Sequence, residues 1–162
     1  MAEPETDPHI VQSGHAPTPF TAAEIRDGCP EGRTIGILIE PRDGDPYLTI
    51  NRFVTVDEEG ADTSTESLTM EGEPIDEEPV ETRSKWKEFQ AHASFPEEQT
   101  EIDSEVLETQ MGELRCKRYT VTDGPTTDVY WFAVDKPGMP VKVETTSPGG
   151  VAFRMTMIND NP

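Results

Sequence analysis

Residues 114–158 constrain this chain more than any other stretch. Four runs rich in Val, Thr, Tyr, Trp and Phe, at 114–122, 127–134, 140–146 and 151–158, are separated by Asp123-Gly124-Pro125, Lys136-Pro137-Gly138 and Ser147-Pro148-Gly149-Gly150. β-Branched and aromatic side chains suit a half-buried pleated surface. Glycine supplies positive φ and proline presets a bend, so the separators read as turns. Connections this short join only antiparallel neighbours, because a parallel pair needs a crossover of about a dozen residues or more. The stretch therefore reads as a β-meander.

Upstream, Phe20-Thr21-Ala22-Ala23-Glu24-Ile25 carries a helix start. Thr21 can accept from the backbone of Glu24, Glu24 can reach back to Thr21, and Phe20 and Ile25 occupy the staple positions around that box. Gly28 and Pro30 end the helix. One or two turns are unstable alone, so this helix must lean on the sheet. Ile35, Ile37 and Ile39 alternate along a strand at 34–40. A second strand, 47–56, presents Tyr47, Thr49, Asn51, Phe53 and Thr55 on one face and Leu48, Ile50, Arg52, Val54 and Val56 on the other. The second face is the more apolar and is expected to point inward. Further strands are read at 62–70, 80–83 and 100–109, with a Pro- and Glu-rich loop at 71–79. Ser84 reads as the cap of a second helix, on which Trp86, Phe89 and Ala93 recur at helical spacing. Residues 1–19 hold Pro, Glu, Asp and Thr without apolar periodicity and are expected to be a disordered arm. Residues 20–160 are expected to form one domain.

Charge narrows the function classes. The chain has 162 residues, 33 acidic against 13 basic, and a formal net charge of −20. Phosphate backbones are bound through Lys and Arg that release counterions, so direct nucleic-acid binding is not expected. Anionic membrane surfaces are disfavoured for the same reason, and no apolar run approaches a membrane span. The acidity fits a solvated surface, high-salt adaptation, a basic protein partner, or mimicry of a polyanion. Two cysteines, Cys29 and Cys116, and no apolar run after Met1 point to a reduced, cytoplasmic protein, with a mature exported form whose signal has been removed as the alternative.

Catalytic signatures are missing from the sequence: it contains no G-x-S-x-G, H-E-x-x-H, G-x-x-x-x-G-K-[ST] or G-x-G-x-x-G. His92 is the one histidine inside the expected fold and lacks a motif around it. His9 and His15 make a weak metal signal. Acidic clusters at Asp57–Glu59, Asp76–Glu78 and Glu97–Glu98 read as solvated turns. No catalytic residue, cofactor or metal ligand is assigned. Cys116, between Arg115 and Lys117, alternates away from both and reads as a buried thiol. Val129, Trp131 and Ala133 share one strand face, and Tyr130, Phe132 and Val134 the other, so both faces are apolar. One face should meet Trp86 and Phe89 in the core. The other meets further core, a partner chain, or a ligand.

The opening helix T-A-A-E-I-R (Thr21 to Arg26), the Trp86/Phe89 helix and the tail segments G-E-L-R-C-K-R-Y-T-V, Y-W-F-A-V-D-K-P-G-M-P-V and F-R-M-T-M-I resemble a little-characterised bacterial family of single-domain β proteins. The tail more distantly resembles the end of LolA- and LppX-like lipoprotein carriers. That resemblance implies a curved antiparallel sheet wrapped around helices to hold acyl chains, and it carries no functional residues over.

The expected fold is α+β: a strongly curved antiparallel sheet of about eight strands, mostly meander, around two short helices, with a closed β-barrel as the alternative. The expected function is a non-enzymatic binding module holding an apolar or lipid-like small molecule between sheet and helices, lined by Trp86, Phe89, Tyr119 and Trp131. The alternative is an acidic protein-interaction or DNA-mimic protein. The oligomeric state is left open.

Overall fold

Nine antiparallel strands form one sheet in the computed structural model, which describes residues 7–161. In chain order the elements are α1 (Ala22–Gly28), β1 (Thr34–Pro41), β2 (Tyr47–Val56), β3 (Gly60–Thr69), β4 (Val80–Lys85), α2 (Trp86–Ala91), a single 3₁₀ turn (Glu97–Gln99), β5 (Thr100–Thr109), β6 (Gly112–Asp123), β7 (Thr126–Ala133), β8 (Lys142–Ser147) and β9 (Gly150–Asn161). The strand order is β4-β3-β2-β1-β9-β8-β7-β6-β5. Two meanders, β1–β4 and β5–β9, are thus joined by the pairing of β1 with β9.

The sheet is open. β4 and β5 are its two edges and do not pair, so the barrel alternative does not form. It is nevertheless strongly curved. Thr65 of β3 and Tyr130 of β7 line one cavity, although five strand steps separate β3 from β7 in the sheet order. In a flat sheet those strands would lie about 24 Å apart at the usual spacing. Both helices pack within this curve. The α1 cap is the one its sequence encodes: Glu24 N donates to Thr21 Oγ1 at 3.1 Å, and Thr21 N donates to Glu24 Oε1 at 3.0 Å. Lys85, rather than Ser84, holds the N-cap position of α2, where its backbone N–H donates to Glu88 Oε1 at 3.0 Å.

The inner face carries Ile35, Ile37 and Ile39, all buried. On β2 the inward face is the opposite of the one expected. Phe53 is buried and stacks on Trp86, whereas Val54 is exposed. Leu48 and Ile50 lie on the outer face by ordinary alternation with Phe53, and the register irregularity affects only the residues after it. A bulge between Phe53 and Thr55 leaves Val54 without a partner on β3, and such an extra residue flips the alternation that follows it. Val56 then packs on the core opposite buried Ala61. Leu48 pairs with Leu38 and Leu68 in one cross-strand row on the outer face, where leucines shield one another.

The segment before Pro19 also differs from the expected arm. Ala16 and Thr18 are buried. Ala16 N donates to Phe95 O at 2.8 Å, and Gln90 Nε2 donates to Pro8 O at 2.7 Å and to Thr18 Oγ1 at 3.0 Å. Tyr119 Oη donates to Pro17 O at 2.6 Å. Polar and backbone contacts hold this segment, and they leave no apolar periodicity to read. Residues 1–6 of the expected arm lie outside the described residues.

Arg33 closes the seam between the meanders. Its side chain is 3 % exposed, and Nε and Nη2 each donate to the Asp160 carboxylate at 2.9 Å. Nη1 donates to Gly28 O at 3.1 Å and to Pro137 O at 2.6 Å, and lies 3.1 Å from Cys29 Sγ. One guanidinium therefore ties the end of α1, the β7–β8 loop and the last strand to the start of β1. Burial pushes the Asp160 carboxyl upward, but hydrogen bonds and charge from Arg33, with Lys136 nearby, hold it below its usual 3.8.

Two predictions follow from this packing. A lowered folded-state pKa stabilises the fold above about pH 4, and that contribution is lost as pH falls through the lowered value. Asp160→Asn leaves a buried cation unpaired and is expected to cost about 3–5 kcal/mol at neutral pH. Urea titrations from neutral pH down to about pH 3 should show the deficit shrinking as the native carboxylate takes up its proton. At Gly60 a Cβ would collide with the Ser84 carbonyl on β4. Gly60→Ala is expected to destabilise by about 1–3 kcal/mol, measured by thermal unfolding.

Candidate functional site

A cavity of about 370 Å³ lies between the helices and the inner face of the sheet. Its apolar wall comes from Ile25 of α1, Phe89 of α2, Ile35 of β1, Phe53 of β2, and Tyr130 and Phe132 of β7. Met139 and Pro140 of the β7–β8 loop close one side. Two aromatic clusters flank it. On one side Phe53, Trp86 and Phe89 have ring centroids 5.5–6.5 Å apart. On the other, Phe95 stacks on Tyr130 at 4.8 Å, and Phe132 meets Tyr119 edge-on at 5.4 Å and Phe20 at 6.5 Å. Rings that already hold one another keep the wall apart, so the space does not collapse.

The polar lining is sparse. Asn51, Thr63 and Thr65 face the cavity from β2 and β3, exposed Arg52 borders it next to Asn51, Cys29 and Arg33 lie at its α1 end, and exposed His92 stands at the end of α2. Asn51 Oδ1 is buried without a hydrogen-bond partner. Its Nδ2 makes only a long contact with Met139 Sδ, at 3.9 Å. Burial pushes the Cys29 thiol up, against the opposing pull of Arg33. No Asp or Glu lines the cavity among the described residues, although the chain carries 33.

The four residues expected to line a site fall in three places. Phe89 is on the cavity wall. Trp86 stands behind it, 4 % exposed, with Nε1 donating to Asp57 O at 2.8 Å. Tyr119 belongs to the second aromatic cluster, where burial pushes its hydroxyl up to about 12. Trp131 alternates with Tyr130 and Phe132 and so lies on the outer face. There its Nε1 donates to Glu105 Oε2 at 2.6 Å, and Lys142 Nζ sits 5.0 Å from its ring centroid. Cys29 and Cys116 are both free and buried, and burial raises the Cys116 thiol to about 11. The sequence reading missed Asn51, Thr63, Thr65 and Met139. The one available signal was an amide on the same strand face as Tyr47 and Phe53. Among the described residues no three His, Cys, Asp or Glu side chains gather in a way that would hold a metal ion.

No protein-family model matches the chain, and no curated protein does. Solved structures do share its fold. A Bacteroides fragilis protein, named for an inferred export and a YmcC-like fold, superposes with a TM-score of 0.52 at 8% identity, covering 83% of this chain and 97% of its own. An inferred lipoprotein from Parabacteroides distasonis gives a TM-score of 0.52 at 8% identity over 82% of this chain and 96% of its own.

An unsatisfied buried amide is destabilising, and replacing it by an apolar group of similar shape relieves that. Asn51→Leu is therefore expected to raise stability by about 1 kcal/mol or more, read as an increase in Tm.

Proposed function

We propose that this protein is a non-enzymatic carrier or receptor for an apolar small molecule, which occupies the cavity between the helices and the curved sheet. The supporting observation is the cavity itself. Its volume falls within the range of small-molecule sites, and its lining is the usual one for such sites, mostly aromatic and aliphatic with a few convergent polar groups. Phe89 is the residue expected from sequence that would touch the ligand. Trp86 and Tyr119 would support the wall from behind.

The rival reading, an acidic interaction or mimic protein, rests on net charge alone and has no comparable geometric support. The names of the two structural neighbours, an exported protein and a lipoprotein, favour action outside the cytoplasm over the cytoplasmic location expected from sequence. Among the described residues no helix is long and apolar enough to cross a membrane.

The test is occupancy. A fluorescent apolar probe is expected to bind the native protein with saturable one-to-one stoichiometry. Thr65→Phe fills the cavity from a strand position that favours aromatic residues. It is expected to weaken probe binding at least about tenfold while leaving the unfolding transition cooperative. Equal binding by the native and filled proteins would remove the cavity from consideration.

A further inference from the structure

Building on that reading of the cavity, we infer that its ligand is a neutral amphiphile: an apolar body ending in a hydroxyl or amide N–H that donates to Asn51 Oδ1. The inference stands on what the polar lining lacks. Asn51 Oδ1 is a buried acceptor with no donor. A buried acceptor left open is costly, and a ligand donor that meets it through a turn of the half-buried Asn51 side chain removes the cost. An ionised carboxylate has no proton to give and would leave Oδ1 as it is. Turning the amide over would only aim the orphan oxygen at the Met139 sulfur, which has no proton either.

A carboxylate would also need a cation. Arg33 and Arg52 are the two arginines on the cavity lining among the described residues, and the Arg33 guanidinium is already committed. It gives two donors to Asp160 and others to Gly28 O and Pro137 O. Arg52 belongs to the lining, but it is exposed and alternates with inward-facing Asn51 and Phe53, so its guanidinium is carried to the outer face, where Nε lies 3.4 Å from Thr34 Oγ1. The wall has no carboxylate to bind a cationic head. Neither sign of charge is provided for, whereas Asn51, Thr63 and Thr65 offer neutral donors and acceptors together.

The experiment compares 1-decanol, decanamide and decanoate by calorimetry at neutral pH, below their aggregation limits. Sodium chloride is kept at about 0.5 M, so that screening suppresses repulsion from the net charge. The measurements are repeated in His92→Gln, which removes the ring at the rim. The alcohol and the amide are expected to bind at least about tenfold tighter than decanoate in both proteins, and Asn51→Leu is expected to reduce that preference to less than about threefold. Equal binding of all three, or tighter binding of decanoate, overturns the neutral-head inference and leaves the cavity reading standing. Binding of none, together with no response to the apolar probe, overturns both. A preference that survives in Asn51→Leu removes Asn51 from the recognition.

Discussion

The pairing of β1 with β9 is the contact on which this architecture depends. Every other neighbour in the sheet is also a neighbour in sequence, so each of those ladders closes a short connection. The β1–β9 ladder instead joins Thr34 to Asn161 and has to overcome the entropy of closing nearly the whole chain. The buried Arg33–Asp160 pair sits at the end of this ladder, next to the Ile35–Asp160 register position. A buried ion pair adds little net stability over apolar packing, but losing one partner is strongly destabilising. The pair therefore specifies which strand ends meet and where the chain stops sliding. Gly28, against whose Cα side Pro137 packs too closely for any Cβ, fits α1 into the same corner.

The cavity follows from curvature and from the small size of the helices. α1 and α2 have seven and six residues, about 10 Å each at the usual rise. They are too short to fill a trough bounded by nine strands. Aromatic side chains fill what the helices leave, and they do so in two groups, because each ring prefers edge or offset contact with another ring. Between the two groups the packing runs out. Asn51 lies in that gap, and its strand face points inward because Phe53 is needed there against Trp86.

Local features were well encoded in the sequence. The Thr21–Glu24 box, the turns of the C-terminal meander and the alternation of Ile35, Ile37 and Ile39 each depend on residues a few positions apart, and each forms as read. The α2 side chains Trp86 and Phe89 do lie on the sheet. Features set by distant partners were not legible. The bulge at Val54 depends on how β3 meets β2, and it puts Val56 on the inner face with Phe53, where strict alternation would separate them. The docking of residues 8–18 depends on Gln90, Phe95 and Tyr119, which lie about 80–100 positions further along the chain, as the 82- and 102-residue separations of those hydrogen bonds show. Trp131 looked like a ligand contact because both faces of β7 are apolar. Its outer face is instead occupied by Glu105 and Lys142, one bonding the indole N–H and the other lying over the ring.

The two edge strands are consecutive in the chain, with only residues 86–99 between them. That short span works as a leash across the gap where a barrel would zip shut. β4 and β5 do not pair across this gap, so the span is their covalent link, and it is itself tied down by Trp86 N donating to Glu59 O and by Ala16 N donating to Phe95 O. The same span carries α2, with Phe89 on the cavity wall and His92 at its end.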